Sequence, residues 1–230
     1  MRVKPHVKPE PRFSIIAAMI GDPTRARMLA ALMGGQFLAA GELAKAAGVT
    51  AATASAHLSK LTEHELVTMR IQGRHRYYVL ANADIAHALE ALSVAAERNQ
   101  CLERWSQGAY KPLKAARTCY GHIAGELGVA LFQGLQARGS LVQHKGQFTL
   151  SETGRAELEA LGMHVPKAGS SRLAYPCLDW SERFDHLAGS LAKALMDHGL
   201  AQDWWQRVQG SRALRLTPKG KKTLAPWRLG

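Results

Sequence analysis

Thr50-Ala51-Ala52-Thr53-Ala54-Ser55-Ala56-His57-Leu58-Ser59-Lys60-Leu61 is the stretch on which the fold turns. Threonine is a favoured N-cap, so a helix is predicted to start after Thr50 and to run to about His64. At about 100° per residue, Ala54, Leu58 and Leu61 share one face and pack inward. Ala52, Thr53, Ala56, Ser59 and Lys60 fall on the opposite face, with Ser55 and His57 on its flanks. That outer face is small and polar with a single cation. Such a face lets a helix lie close to base edges in a major groove. Taken alone, an ordinary solvated helix face has the same composition.

Upstream, Gly41 to Ala47 reads as a short helix with Leu43, Ala44 and Ala47 inside, and Gly48-Val49 makes the turn into the longer helix. Before it, Asp22-Pro23 is an N-cap followed by proline at the first helical position. Met28, Leu29, Leu32 and Met33 continue that helix until Gly34-Gly35 stops it. Ile15, Ile16, Met19 and Ile20 form an earlier apolar face. Downstream, Val67, Met69 and Ile71 alternate, Gln72-Gly73 supplies a turn, and Tyr77 to Leu80 returns. Arg70, Arg74, His75 and Arg76 gather at the tip of this hairpin. A cationic hairpin beside a helix-turn-helix is a wing, and its natural target is a phosphate backbone.

These pieces resemble the ArsR/SmtB winged-helix regulators over residues 13–92. The resemblance is carried by Gly21-Asp22-Pro23-Thr24-Arg25, by Glu42-Leu43-Ala44 with Ala47-Gly48-Val49, by Ser55-Ala56-His57-Leu58-Ser59-Lys60-Leu61, and by Gly73-Arg74 with Tyr77-Tyr78-Val79-Leu80. It implies a homodimer on a near-palindromic double-stranded DNA operator, usually as a repressor relieved by an effector. Dimer contacts would come from Phe13 to Ile20 and from the helix of Ile85, Leu89 and Leu92. DNA contacts would come from Thr50, Ala52, Thr53, Ser55, Ala56, Ser59 and Lys60, and from the wing residues Arg70, Arg74, His75 and Arg76. The metal sites familiar in this family are not matched. The helix Gly41–Ala47 lacks a cysteine pair, and Asp84 and His87 have no second His/Glu pair at the family's spacing.

The rest of the chain carries a weak internal repeat. His122-Ile123-Ala124-Gly125-Glu126-Leu127 matches His186-Leu187-Ala188-Gly189-Ser190-Leu191, and Phe148-Thr149-Leu150-Ser151-Glu152-Thr153-Gly154 matches Leu214-Arg215-Leu216-Thr217-Pro218-Lys219-Gly220. Each copy reads as helix, strand, strand, helix, which suggests two winged-helix-like units whose related apolar faces pack together. A cysteine precedes each copy. Cys119 and Cys177, with His122, His186 or Asp179, are candidates for a thiophilic divalent metal such as zinc or cadmium. A thiol switch, with Arg117 or Arg183 lowering a cysteine pKa, and a pair of buried structural thiols are the competing readings. Tyr175, Trp180, Phe184, Trp204 and Trp205 suit either an apolar effector pocket or simple core.

The expected fold class is therefore mainly α with small β-hairpins (α+β). Residues 1–12 are a basic arm, 13–92 the winged helix-turn-helix, 93–117 a linker helix, and 118–165 and 175–230 the two repeats. The net charge of +12 is spread along the whole chain and favours a polyanionic partner. Three cysteines are too few, and odd in number, for a secreted disulfide framework, and no secretory h-region is evident, so a cytoplasmic setting with no membrane partner is expected. The chain shows no P-loop, dinucleotide fingerprint, metalloprotease motif or nucleophile elbow, which argues against an enzyme. The competing function is an architectural nucleoid-type protein binding DNA with low sequence preference.

Overall fold

Asp22 accepts the backbone N–H of Arg25 at 2.9 Å, and Pro23 opens the helix behind it, so the first turn of the helix-turn-helix segment starts where its capping chemistry dictates. The computed structural model describes residues 13–97, 108–144, 147–167 and 173–227. Its first part runs α1 (Phe13–Ile20), α2 (Pro23–Leu32), β1 (Leu38–Ala39), α3 (Ala40–Ala47), α4 (Ala51–Glu63), β2 (Val67–Gln72), β3 (His75–Leu80) and α5 (Ala83–Ala96). Gly48, at φ +70°, ends α3 in the left-handed conformation that glycine adopts without strain. The hairpin pairs Val67 with Leu80 and Gln72 with His75, so its turn is Gly73-Arg74 rather than Gln72-Gly73. β1 was not anticipated; it adds a third strand by pairing Leu38 with Tyr78.

Beyond the segment 98–107 the chain forms a 3-10 turn (Gly108–Tyr110), α6 (Lys111–Ala115), β4 (Arg117–Cys119), β5 (His122–Ala124), α7 (Gly125–Ala137), β6 (Leu141–His144), β7 (Gln147–Leu150) and α8 (Glu152–Ala160). It continues with β8 (Tyr175–Leu178), β9 (Asp185–Ala188), α9 (Ser190–Ala201), β10 (Trp205–Arg207), β11 (Leu214–Leu216), α10 (Pro218–Leu224) and a 3-10 turn (Ala225–Trp227). Two expectations need correction. The described part of 93–117 is not one linker helix, because α5 ends at Ala96 and Arg117 already lies in a strand. Each helix of the matched motifs is also preceded by a hairpin that the sequence pattern did not show, β4–β5 and β8–β9. The basic arm 1–12 and Cys101 lie outside the described residues.

The two hairpin–helix–hairpin–helix runs interlock instead of standing side by side. α7 lies against β9 and α9 against β5. Arg117 in β4 bridges to Ala213 at the start of β11, and Phe148 in β7 bridges to Ala174 ahead of β8. Their shared core holds Phe132, Leu135, Phe148, Leu195, Trp204, Trp205 and Trp227, so the tryptophan pair fills space in the core. Phe184 stands exposed. The matched Ser151 and Thr217 have the same physical task. Each hydroxyl accepts the N–H of a glycine three residues on, Gly154 or Gly220, at 3.0 Å. Those glycines pack directly on the backbone carbonyls of Ser140 and Trp204, where a Cβ has no room.

A second core joins the N-terminal segment to these hairpins. Met28, Leu29, Leu32, Leu43, Leu58, Leu61, Tyr78 and Leu80 cluster with Cys119, Ala124, Cys177 and Ala188. The Tyr120 N–H donates to the Met33 carbonyl at 2.7 Å, and Gly35, at φ +71°, packs against Gly121.

Because a Cβ at Gly220 would meet the Trp204 main chain first, and main chain cannot swing aside as a side chain can, Gly220→Ala is expected to destabilise the protein by about 1–3 kcal/mol. Gly41→Ala, at an open helical position, is expected to be neutral or mildly stabilising. Denaturant midpoints of the two variants against the parent check this contrast.

Candidate nucleic-acid interface and buried Cys/His cluster

α4 buries Ala54, Leu58 and Leu61 and exposes Ala52, Thr53, Ser55, Ala56, Ser59 and Lys60, as its helical spacing predicts. Thr50 is its N-cap, accepting the Thr53 N–H at 3.2 Å and lying 2.9 Å from the Thr53 hydroxyl. Arg70, Arg74, His75 and Arg76 are all exposed on β2, the turn and β3. α4 is braced from below. Arg25 is buried, donates to the carbonyls of Met19 and Ala18 at 2.7 Å, and reaches His57 Nδ1 at 3.4 Å. His57 Nδ1 in turn lies 3.6 Å from Asp22. His57 therefore faces the scaffold, and the neighbouring small side chains face solvent.

On the other side of the shared core, two cross-strand pairs meet. Cys119 is in register with His122 across β4–β5, and Cys177 with His186 across β8–β9. All four side chains are buried, and their candidate ligand atoms lie within 4.8 Å of one another. His186 Nε2 stands 3.2 Å from His122 Nδ1. The tight turn between Cys119 and His122 uses Tyr120 at φ +47° and Gly121 at φ +94°.

Asp179, expected among the ligands, stands behind them instead. Its Oδ1 accepts Arg117 at 2.8 Å, the Ser181 N–H at 2.9 Å and the Ser181 hydroxyl at 2.8 Å. Its Oδ2 accepts the Gly125 N–H at 2.7 Å and lies 3.3 Å from His186 Nδ1, too long or too bent for a well-formed hydrogen bond. Arg117 is fully buried, lies 4.1 Å from the centre of the Trp180 ring, and reaches Glu90 of α5 at 3.4 Å. The result is a buried chain of charge: Glu90, Arg117, Asp179, His186.

Burial works against the charged form of Asp179, yet His186 and Arg117 override it and hold the carboxyl far below the usual range. Burial also disfavours protonated His186, but Asp179 and the Cys119 thiol push it up to about 9. His122 is depressed, first by burial and then by the charge on His186. The Cys119 thiol is raised well above its ordinary value by its contact with Cys177, then by burial and by Glu90. This overturns the thiol switch as first conceived for Cys119: Arg117 is spent on carboxylates, and Arg183 donates to the Glu97 carbonyl at 3.1 Å.

Sequence reasoning found all four members of the cluster and missed Glu90, Ser181 and the Gly125 amide. Glu90 had a signal, since it falls four residues after buried Ala86 on the inward face of α5, where a carboxylate needs a partner.

The helix-turn-helix domain family matches residues 20–70. The uncharacterised HTH-type transcriptional regulator YdfF of Bacillus subtilis is 38% identical over 213 residues, covering 92% of this chain and 94% of its own length. The chain belongs to the HTH-type transcriptional regulators. It is a DNA-binding transcriptional regulator. The HTH-type regulator CmtR of Mycobacterium tuberculosis is 41% identical over 73 residues, 32% of this chain and 61% of CmtR. The solution structure of CmtR, described as a cadmium metal-sensor, aligns at 37% identity with a TM-score of 0.30 over 34% of this chain and 81% of that one, too slight a likeness to argue from. No described helix of the regulator is long and apolar enough to cross a membrane.

Removing one partner of a buried ion pair leaves the other charge stranded, at a cost of about 3–5 kcal/mol. Asp179→Asn, which keeps the volume and abolishes the charge, is expected to lower stability by that order. An unchanged thermal midpoint would show that the buried chain of charge is not holding the hairpins.

Proposed function

We propose that the protein is a sequence-specific, dimeric repressor that grips operator DNA with α4 and the β2–β3 wing and lets go when an effector binds its C-terminal half. The observation that carries this is the surface of α4. Its six small or singly charged side chains, Ala52, Thr53, Ser55, Ala56, Ser59 and Lys60, are exposed beside a hairpin bearing Arg70, Arg74, His75 and Arg76. Short side chains bring the helix backbone near base edges, and the arginines neutralise phosphates. Thr50 acts through its cap, fixing the first turn that presents Thr53.

Dimerisation is supported by α1, where Phe13, Ile15 and Ile16 are exposed, and by Leu92 on α5. Such apolar surface is covered when two copies meet, and two half-sites multiply specificity. We read residues 118–165 and 175–230 as two copies of one winged-helix-like unit, each with an added N-terminal hairpin. The reciprocal packing of α7 on β9 and α9 on β5, and the matched Ser151 and Thr217 caps, support a duplication. Among effector classes, a thiophilic divalent metal ion such as zinc or cadmium suits two buried cysteines and two buried histidines whose ligand atoms converge within 4.8 Å of one another.

Arg74→Ala is expected to weaken binding to all duplexes alike and to reduce the salt slope by about one unit, while Ser55→Ala shifts base preference more than affinity. Fluorescence anisotropy across a salt series and a set of altered sites reads both. A regulator should prefer its selected site over random DNA by roughly 10³ or more at physiological salt. A ratio near unity would favour an architectural role instead. Ile16→Glu is expected to yield a monomer by light scattering with weakened operator binding; a dimer of unchanged stability would remove α1 from the interface.

A further inference from the structure

Cys119, His122, Cys177 and His186 come from two hairpins whose cysteine and histidine occupy facing strand positions. Burying two imidazoles and two thiols against one another is poor packing for an apolar core, because four polar groups share few partners. The arrangement makes sense once something lies between them. With Zn–S near 2.3 Å and Zn–N near 2.0–2.1 Å, a tetrahedron has edges of roughly 3.3–3.8 Å. The His186 Nε2 to His122 Nδ1 separation of 3.2 Å already matches one edge. The remaining ligand atoms, within 4.8 Å, need movements of only about 1 Å to close the shell.

The surroundings are those of a metal centre. Asp179 Oδ2 stands 3.3 Å behind His186 Nδ1, on the side of the ring away from the Nε2 that faces His122, and Asp179 is itself fixed by Arg117, Ser181 and Gly125. Such carboxylate–histidine pairs set the tautomer and raise the basicity of a ligating imidazole. A groove of about 500 Å³ bounded by Asp84, His87, Tyr120, Tyr175 and Lys193 reaches His122 and offers an entry path. Two thiolates and two neutral imidazoles select a soft or borderline four-coordinate ion over Mg²⁺ or Ca²⁺, and four protein ligands leave no open position for chemistry.

We propose that these four side chains bind one Zn²⁺-class ion, with Cd²⁺ as a competitor, and that its presence is passed to α5 through Asp179, Arg117 and Glu90. The second half rests on the repressor reading given above. The ion ties both hairpins together at the point where Cys119 and Cys177 join the core of the helix-turn-helix segment. Glu90 is where that network touches α5, three residues after His87, whose Nε2 lies 3.0 Å from the Tyr175 hydroxyl on β8. Metal binding that draws β8–β9 toward β4–β5 thus pulls on two successive turns of α5. Glu90 acts as a positioning residue and is no ligand.

The full-length protein, stripped with a chelator under reducing and oxygen-free conditions, is titrated with Co²⁺. Thiolate charge-transfer and tetrahedral d–d bands saturating at one ion per chain, and abolished by added Zn²⁺, are expected. The C119S/C177S variant should lose these bands, and H122A should weaken Co²⁺ binding at least tenfold while keeping the parent circular dichroism spectrum. H122A decides the matter if the double variant does not fold. Absence of the bands from the parent, or their survival unchanged in these variants, overturns the site. For the relay, affinity for a duplex selected from random sequence is measured on stripped and Zn²⁺-loaded protein. A decrease of about 5- to 150-fold on loading is expected, and E90Q should retain the Co²⁺ bands while losing most of that difference. Equal affinities in the parent, or an undiminished difference in E90Q, overturn the relay. Failure to bind DNA selectively in either form refutes the repressor reading and the relay with it, whereas the metal site stands or falls on the Co²⁺ bands alone.

Discussion

The buried ion pair between Arg117 and Asp179 is the constraint on which the C-terminal architecture depends. Both side chains are cut off from water, so the charge of each is balanced by groups inside the protein. Arg117 draws on Glu90, Ser181, the Leu113 carbonyl and the face of Trp180, and Asp179 on Ser181, the Gly125 amide and His186. Those partners come from α5, α6, the start of α7, the β8–β9 connection and β9. One pair of charges thereby fixes how five parts of the chain meet.

This arrangement separates two kinds of surface. The face proposed to read DNA carries short exposed side chains on a helix that Arg25 and His57 brace from underneath. The Cys/His cluster needs burial and converging polar atoms, and it obtains them where two hairpins abut. A common apolar core, holding Leu58 and Leu61 of α4 together with Cys119 and Cys177, runs between them. Close-packed interiors transmit strain, which gives the proposed metal site a physical route to the helix proposed to read DNA.

Two features of the C-terminal half were only partly legible. The Leu-Ser/Thr-x-x-Gly steps marked helix starts correctly because an N-cap hydroxyl and the glycine it serves are three residues apart, a local relation. The hairpins β4–β5 and β8–β9 escaped notice because each strand has only three or four residues, too few to show a period, and β4 and β5 are buried throughout, which removes the polar–apolar alternation that marks a strand. The tryptophans suit a core more often than a pocket, and Gly199 accords with core by letting the Trp205 ring lie on its backbone.

By itself the sequence determined the helix-turn-helix: caps at Asp22, Thr50 and Asn82, the turn at Gly48, and the inward face of Ala54, Leu58 and Leu61 all follow from neighbours within one or two helical turns. It also named the cysteines and histidines of the cluster, because they stand at parallel positions in the two matched motifs. Only the tertiary structure decided that these four converge, that Asp179 supports the ring of His186, and that Glu90 joins them from α5. His122 and His186 are 64 residues apart, and Arg117 and Asp179 62. Which distant groups share a buried site is set by how hairpins pack and how buried charges must be neutralised, and no local spacing encodes that.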